Sequence, residues 1–321
     1  MMAQDGLVVV GIDVAKNKVD ACIRARSLRQ TCPSTTQGQR KLVAWLRRHD
    51  VDKAVMEASG GYERDWAKAL RRGGIEVRIV DPKRVRSFAH SAGRLAKNDA
   101  IDAEMIAWFA ETFSEAPSQM VCDAAHEELL ALVKARTALV ELKIRSQTQN
   151  EHAAAGLAQK AHARVLKGLA AEIAKLEAAI SARIESTPDF AERAEIIESV
   201  PGLAEISSAN IIAGLPELGQ VSNEIAAALL GVAPYDDDSG ERRGERHIRG
   251  GRRWVRNAIY MPCLGAATQN NPALKAFYDR LIAKGKEPKV ALVACMRKLI
   301  VILNTMIKRR QKWDPRCYPL N

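Results

Sequence analysis

The hydrophobic pattern of the first 115 residues alternates between short runs typical of strands and longer segments with helical spacing. β-Branched or alternating runs indicate strands, and apolar residues three or four positions apart indicate helices. The predicted strands lie at 7–14, 19–25, 54–57 and 75–80, and the predicted helices at 40–48 and 65–72. This order is typical of an α/β domain with a mixed sheet.

A second pattern begins at Ala124 and continues to about Arg183. This segment is rich in Ala, Leu, Glu, Lys and Gln, has no proline, and repeats apolar residues at helical spacing. We expect two long helices, paired antiparallel and broken near Gly156. Such a coiled-coil arm suits dimerisation or spacing, although a plain helical bundle would show the same pattern.

After Pro188 the pattern predicts a second, all-α domain. Ser199-Val-Pro-Gly-Leu203 joins two apolar helical segments, as in a helix-hairpin-helix whose turn amides contact DNA phosphates, although Pro-Gly turns join helices in many other proteins. Further helices are predicted at 222–230, 253–267 and 288–310, with a polar loop at 231–251. The expected domains are 1–120, 121–188 and 189–321.

The composition fits a protein of at least two domains, because the 321 residues include 47% hydrophobic and 27% charged ones. Apolar runs are interrupted before they reach 18 residues, which argues against a membrane span. Asp5 and the short apolar run behind it differ from a secretory signal. Six cysteines without a CxxC pair or a Cys/His cluster favour buried free thiols over zinc or disulfides. We therefore expect a cytoplasmic protein without a membrane partner.

The net charge of +11 and a pI near 9.5 favour a polyanionic partner. The charge is concentrated near the carboxyl terminus: residues 191–238 carry one base and nine acids, whereas residues 239–321 carry 19 bases and five acids. This distribution indicates a nucleic-acid surface and a nucleoid-associated location.

Four acids occupy positions that suit a shared site. Asp13 and Glu57 end predicted strands, and Asp99 and Asp102 share one face if residues 96–109 form a helix. Converging carboxylates repel one another unless divalent metals neutralise them, and oxygen ligands favour Mg²⁺ or Mn²⁺. Two such metals can hold both oxygens of a phosphoryl transfer. Alternatively, each acid ends a strand or a solvated face without a ligand, although Glu57 in its apolar strand would then be buried alone.

Four ordered motifs resemble one known family. They are Gly11-Ile-Asp-Val-Ala-Lys16, Met56-Glu-Ala-Ser-Gly-Gly-Tyr-Glu63, Asp81-Pro-Lys-Arg-Val-Arg86 and Lys97-Asn-Asp-Ala-Ile-Asp102. Together they closely resemble insertion-sequence transposases of the one-ten (IS110) family, whose amino-terminal domain is a RuvC-like, ribonuclease-H-like DEDD fold. The resemblance spans nearly the whole chain. It implies that the catalytic, metal-holding carboxylates are Asp13, Glu57, Asp99 and Asp102.

Basic residues near the acids and in a later run are candidates for nucleic-acid contact. Those near the acids are Lys16, Lys83, Arg84, Arg94 and Lys97. Residues 239–256 contain seven arginines among glycines that let the backbone approach a ligand, and guanidinium groups bind phosphate in bidentate fashion. The seven are Arg242, Arg243, Arg246, Arg249, Arg252, Arg253 and Arg256.

Ser239 opens this arginine run and has two possible roles. A serine before glycine commonly caps a loop, but a serine among cations also suits a nucleophile, because the cations stabilise an alkoxide and a pentacovalent phosphorus. The family resemblance favours the nucleophile, since the family has an essential serine in a loop of this type. It implies that Ser239 forms a covalent phosphoserine link with DNA, with the DEDD domain of a partner protomer completing the site.

The resemblance also implies the partners of the chain. Family members use a structured noncoding bridge RNA that pairs with target and donor DNA. The implied partners are therefore DNA, this bridge RNA and further copies of the chain in a homo-dimer or tetramer joined through the helical arm.

Three other functions stay open from the residues alone. A metal-dependent nuclease with water as nucleophile would need the acids but not Ser239. An actin-like or sugar-kinase-like phosphotransferase would explain Gly11-Ile-Asp-Val but not the arginine run, and the sequence shows no second glycine-rich phosphate turn. An architectural binder would bind nucleic acid in a salt-dependent way without magnesium or the acids.

Overall fold

The computed structural model describes residues 7–94, 99–113, 123–151, 156–238, 244 and 246–317, and only the backbone at 99–101, 151 and 317. The chain divides into two compact units. Unit 1 comprises residues 1–119 and unit 2 residues 120–321.

Unit 1 is a five-stranded mixed sheet with helices on both faces. Its strands are β1 (Val9–Val14), β2 (Lys18–Ile23), β3 (Leu28–Pro33), β4 (Lys53–Glu57) and β5 (Glu76–Val80), and its helices are α1 (Thr36–Arg48), α2 (Glu63–Arg72), α3 (Pro82–Ser91) and α4 (Asp99–Thr112). The strand order is β3-β2-β1-β4-β5. The first three strands form an antiparallel meander, and β4 and β5 continue the sheet parallel to β1. The predicted α/β domain with a mixed sheet is confirmed.

The two faces of this sheet bury different side chains, because alternate residues of a strand point in opposite directions. On one face, Val10 and Ile12 join residues of α1 and α2 in a hydrophobic core. On the other face, Val9 and Val55 join residues of α3 and α4. α4 contacts β1, β2 and β4 and therefore covers the centre of the sheet.

Two elements of unit 1 escape prediction from the hydrophobic pattern. β3 is an edge strand in which Cys32 is the one buried residue, so it shows little alternation. α3 fully buries only Val85 and half-buries Phe88 and Ala89, so its apolar face is short. The start of α3 is nonetheless marked, because the Asp81 carboxylate accepts a hydrogen bond from the Lys83 N–H and Pro82 occupies the first helical position.

Unit 2 is mainly helical. Its helices are α5 (Ala124–Glu151), α6 (Leu157–Glu185), α7 (Pro188–Glu198), α8 (Glu205–Gly214), α9 (Asn223–Leu230), α10 (Arg253–Gly265), α11 (Pro272–Ala283) and α12 (Pro288–Arg309), with a π-helical turn at Ala266–Asn270. α5 and α6 pair antiparallel, as the ion pairs Arg136–Glu177 and Arg183–Glu128 show. The predicted long helices with a break near Gly156 are confirmed.

The core of unit 2 forms around α12, whose Leu299 and Leu303 are fully buried. Among the described residues, α12 is also the helix that is long and apolar enough to cross a membrane, and 61% of its apolar window is buried inside the protein. This burial is typical of a core helix.

The expectation of an all-α second domain is wrong in one detail. Two short strands, β6 (Pro234–Tyr235) and β7 (His247–Ile248), pair antiparallel within the predicted polar loop. A strand of two residues is too short to show alternation, which is why the sequence pattern misses it. α11 is also additional to the predicted helices.

Four cysteines are buried free thiols, as predicted: Cys22, Cys32, Cys263 and Cys295. Cys122 and the side chain of Cys317 lie outside the described residues.

Candidate active site

Asp13 and Glu57 lie at the carboxyl ends of two neighbouring parallel strands. β1 and β4 pair in parallel as far as Ile12 and Met56, so the next step of the register brings Asp13 alongside Glu57. Neighbouring strands are about 4.8 Å apart. Both residues are half-buried. The fold thus brings together two of the acids selected from the sequence.

Both carboxylates project from the face of the sheet that α4 covers. Val9 and Val55 pack against α4 on this face. Asp13 and Glu57 follow them at even spacing along the same strands, so their side chains leave the sheet on the same side.

Two ion pairs show the direction in which α4 crosses this face. Arg29 of β3 pairs with Glu104 at 2.5 Å, and Arg24, directly after β2, pairs with Glu111 at 2.6 Å. Because β2 is antiparallel to β1, Arg24 lies at the end of the sheet where β1 begins. The carboxyl end of α4 therefore lies where β1 begins, and its first turn lies at the opposite end of the strands, where β1 and β4 end.

Asp102 lies in the first turn of α4 and is half-buried. Asp99 is the first residue of the same helix, and its side chain lies outside the described residues. Among the side chains that the structure describes, no group of three His, Cys, Asp or Glu residues is arranged to hold a metal ion. Asp13, Glu57 and Asp102 thus share one end of the sheet without forming such a group by themselves.

A buried acid, Glu63, orders the loop that follows Glu57. Its Oε2 atom accepts hydrogen bonds from the Ser59 N–H and Oγ, both at 2.9 Å, and from the Gly61 N–H at 2.8 Å. Burial raises the pKa of this carboxyl, but hydrogen bonds from the backbone and from Ser59 outweigh burial and hold the pKa below its ordinary value. Glu63 is absent from the sequence-based selection. The signal that could have found it is an acid in the first turn of a helix that follows a Ser-Gly-Gly loop.

Asp20 is a second acid outside that selection. It lies opposite Asp13 in the β1–β2 ladder. Its carboxylate forms an ion pair with Lys18 at 3.0 Å and accepts a hydrogen bond from the Thr31 hydroxyl. The sheet itself therefore compensates the charge of Asp20.

Several of the selected basic residues follow the carboxyl ends of the parallel strands, where Asp13 and Glu57 lie. Lys16 is exposed in the turn between β1 and β2. Lys83 and Arg84 are exposed in the first turn of α3, which follows β5, the parallel neighbour of β4. Arg94 is exposed beyond the end of α3, and Lys97 lies outside the described residues.

In unit 2, the short β6–β7 ladder closes a hairpin that contains Ser239. Ser239, Arg242 and Arg243 lie outside the described residues. Tyr235 pairs with His247 at the base of the hairpin. The position of Ser239 within the hairpin is therefore known only from the chain order.

Acids of the same hairpin pair with its arginines. Arg246 pairs with Asp236 at 2.5 Å, and Arg249 lies 3.9 Å from Asp237. More than 60% of each of these four side chains is exposed, so the pairs are weakly held. Asp236 and Asp237 end the acidic block of the sequence and the arginines begin the basic one, so charge counts along the chain do not reveal this pairing.

Two other arginines of the run brace the base of the hairpin. Arg252 forms a bidentate pair with Glu217 at 2.5 and 2.6 Å and donates to the Gly214 carbonyl at 2.8 Å. Arg256 donates to the carbonyl oxygens of Gly231 and Gly250 at 3.1 and 3.0 Å. Both guanidinium groups are thus engaged by the protein, whereas Arg253 is exposed at the start of α10.

Comparisons with known proteins identify the family. Residues 10–155 match a family model for the DEDD transposase of IS110 elements, and residues 194–279 match one for transposases of the IS116/IS110/IS902 family. The chain is 28% identical to the pilin gene-inverting protein of Moraxella bovis over 320 residues, which cover 96% of this chain and 98% of that protein.

Two further relatives agree with these matches. The pilin gene-inverting protein of Moraxella lacunata is 27% identical over 96% of this chain and 98% of its own length. The 43.6 kDa protein of insertion element IS110 from Streptomyces coelicolor is 31% identical over 41% of this chain and 32% of its own length. The resemblance carried by the sequence motifs is confirmed, and the chain belongs to the IS110 family of transposases.

Proposed function

We propose that this transposase cuts and rejoins the DNA of an insertion sequence through Ser239, with a divalent metal held by Asp13, Glu57, Asp99 and Asp102. One observation carries the proposal: Asp13 and Glu57 end neighbouring parallel strands under a helix whose first turn contains Asp102. Carboxylates at strand ends beneath one helix suit a RuvC-like, ribonuclease-H-like fold, which we propose for unit 1.

The chemistry of the donors supports Mg²⁺ or Mn²⁺ as the metal, because carboxylate oxygens are the ligands that these ions prefer. When bound, the metal supplies neutralisation of the phosphate charge and stabilisation of the reacting oxygens. β1, β4 and α4 place three of these donors at one end of the sheet: Asp13, Glu57 and Asp102. Asp99 is the first residue of the same helix as Asp102.

Ser239 is the proposed nucleophile. Its hydroxyl oxygen bonds to the phosphorus of a DNA phosphodiester while the bond from phosphorus to a sugar oxygen breaks, so the phosphate stays attached to the protein. The serine gives up its proton, and the departing sugar oxygen takes one up. Attack by the hydroxyl of another strand reverses these steps and releases Ser239.

The seven arginines of residues 242–256 divide into two roles under this proposal. Arg246, Arg249 and Arg253 are exposed and would bind DNA phosphates, together with Arg242 and Arg243. Arg252 and Arg256 hold the ends of the hairpin through Glu217 and backbone carbonyls.

A bridge RNA and a second copy of the chain complete the proposal. Transposases act on DNA, and the family resemblance adds the RNA as guide. The arm formed by α5 and α6 exposes large apolar side chains, with exposed fractions between 49% and 79% at Leu142, Ile144, Leu157 and Val165. Contact with another protomer would cover them in a dimer or tetramer. The three functional parts would be residues 1–120, 121–188 and 189–321.

The test is a search for protein covalently attached to labelled DNA on a denaturing gel. The full chain is co-expressed with the RNA that flanks its gene and supplied with Mg²⁺. Wild type should give an adduct, and Ser239→Ala and Asp102→Asn should each lose it. Ser181→Ala, on the arm, is the matched control and should keep it.

Other results would assign a different chemistry. Cleavage without an adduct that survives Ser239→Ala would identify a metal-dependent nuclease with water as nucleophile. An adduct that forms in EDTA and in Asp102→Asn would show that the carboxylates take no part.

A further inference from the structure

Unit 1 has a cleft between α3 and the end of α4. None of the four candidate metal-holding acids is among the described residues that line this cleft. Its volume is about 450 Å³, within the range of small-molecule sites. Lys83 and Arg84 line it together with Phe88, Phe109 and Phe113. The cleft therefore combines aromatic faces with two cations.

Phe88 is the centre of its aromatic wall. The Phe88 ring makes edge contacts with the rings of Trp108, Phe109 and Phe113 at centroid distances of 5.2, 5.8 and 5.9 Å. These contacts fix the ring, since edge-to-face packing is a favoured aromatic geometry. Phe113 closes the group and keeps 42% of its surface exposed. A large, exposed phenylalanine beside a rigid ring offers a flat apolar surface to a ligand.

Arg78 places a buried positive charge behind this wall. Its side chain is 2% exposed, and its Nη1 donates to the Phe113 carbonyl at 2.6 Å. Its Nη2 is buried without a hydrogen-bond partner among the described residues, and in the same part of the chain no carboxylate forms an ion pair with it. A buried cation without a paired acid is costly, and a nearby anion would lower that cost.

Arg84 adds a second cation to the same ring system. The guanidinium carbons of Arg78 and Arg84 lie 5.9 and 5.6 Å from the Phe109 ring centroid. Lys83 is exposed at the mouth of the cleft. Two cations at the surface, with a third buried behind Phe109, thus border a largely aromatic floor, so the site favours a ligand with both an anionic group and a flat apolar one.

We propose that this cleft binds one unpaired nucleotide of a DNA strand, with the base against Phe113 and Phe88 and the phosphate at Lys83 and Arg84. Bases stack on aromatic side chains without regard to sequence, and phosphates pair with basic side chains. A base inside a duplex cannot reach such a surface, so the subsite distinguishes a separated strand from a duplex. This inference rests on the proposed action on DNA and concerns binding alone.

Binding is measured with the full chain in EDTA, by the fluorescence anisotropy of a labelled 15-nucleotide single strand and of the matching duplex. Phe113→Ala should weaken single-strand binding about tenfold and leave duplex binding unchanged. Phe113→Trp should retain single-strand binding. Lys83→Ala should weaken it and reduce the slope of log affinity against log salt by about 0.7. Arg86→Ala removes an exposed charge of the same helix outside the cleft and is the matched control.

Three results would overturn the inference. The first is unchanged single-strand affinity in Phe113→Ala. If the melting temperature of this variant falls while its affinity stays the same, the Phe113 ring serves the packing of the protein and not the binding of a base. The second is an equal loss in Arg86→Ala. The third is a Phe113-dependent affinity greater for RNA of the same sequence than for DNA. Because EDTA removes any metal, these results are independent of whether Ser239 forms an adduct.

Discussion

A Cβ atom built on Gly11 of β1 would lie 2.2 Å from the carbonyl oxygen of Ala103 in α4. No side chain tolerates that distance, so the helix packs directly on the backbone of the strand. Asp102 precedes Ala103, and Asp13 follows Gly11 by two residues. The absence of a side chain at Gly11 therefore sets how closely Asp102 can approach Asp13.

Gly11→Ala should displace α4 from the sheet. Both Ala103 and Ala107 present backbone atoms to the new methyl group, which cannot rotate away. We therefore expect the free energy of unfolding to fall by about 1–3 kcal/mol. Thermal unfolding measures this loss, and adduct formation should fall with it. Gly168→Ala in α6 is the control, because nothing lies within 4 Å of its new Cβ and alanine is the better helix former. A Gly11→Ala protein as stable as Gly168→Ala would contradict the direct packing of α4.

Glu63→Gln should loosen the loop after Glu57. The substitution replaces a charged acceptor of three hydrogen bonds by a neutral one, and we expect a cost of about 1–3 kcal/mol. If the loop positions Glu57, the Mg²⁺ concentration for half-maximal DNA cleavage should also rise. Asp65→Asn, which changes an exposed acid of the same helix, should alter neither quantity.

The pH dependence gives this prediction a sign. The pKa of Glu63 is lowered in the folded chain, so its stabilising contribution is present above the ordinary carboxyl pKa and is lost as the pH falls through the lowered value. Wild type and Glu63→Gln should therefore converge in stability in strong acid. A constant difference in stability at all pH values would rule out a role for the ionised carboxylate.

The elements that could be predicted from the sequence are those with a strong hydrophobic pattern. β1, β4 and β5 bury most of their residues. The arm helices α5 and α6 bury few residues, but they are 28 and 29 residues long and repeat apolar residues at helical spacing throughout. β3, α3 and β6 bury few residues or are only two residues long, so their positions depend on tertiary pairing. Periodicity alone carries no record of such pairing.

For the candidate site, residue type and motif order were enough to select Asp13, Glu57 and Asp102, because strand ends and helix faces follow from local pattern. The supporting contacts were not accessible in this way. The pairing of Arg24 with Glu111 joins residues 87 positions apart, and the hydrogen bonds of Glu63 depend on the fold of the Gly-Gly loop. The first contact forms only when α4 packs on the sheet, and the second only when the loop after Glu57 folds back on α2.

Removing the acids of the hairpin should strengthen nucleic-acid binding. Asp236 and Asp237 pair with Arg246 and Arg249 in exposed contacts that phosphate must displace. Asp236→Asn with Asp237→Asn should therefore raise the affinity for a DNA duplex several-fold at low salt, and the gain should shrink as salt screens the pairs. Fluorescence anisotropy against salt concentration measures both effects.

The matched control for this pair is Glu172→Gln, together with Glu177→Gln, in the arm. It changes the net charge equally and removes acids that pair with Lys175 and Arg136. An equal gain in the control would mean that net charge alone governs affinity. Unchanged affinity in the hairpin variant would mean that Arg246 and Arg249 do not contact the duplex.

Acidification should destabilise unit 2 through His126. This side chain is 5% exposed, donates from Nε2 to the Ala213 carbonyl at 3.0 Å and contacts the Phe190 ring. Burial lowers the pKa of His126 below its ordinary value of 6.5, and the Ala213 carbonyl, Asp123 and Glu217 oppose that effect only in part. The folded chain therefore binds this proton less readily than the unfolded chain.

The contribution of the neutral imidazole to the free energy of unfolding is therefore fully present above about pH 6.5. It falls as the pH drops below that value, by up to about 1.4 kcal/mol per pH unit. The melting temperature of wild type should fall between pH 7.5 and about 5, and His126→Phe, which keeps the ring against Phe190, should lose less over that range. His247→Phe removes an exposed histidine of the same unit and should follow wild type. If His126→Phe falls as steeply as wild type, the acid sensitivity of the unit arises from other groups.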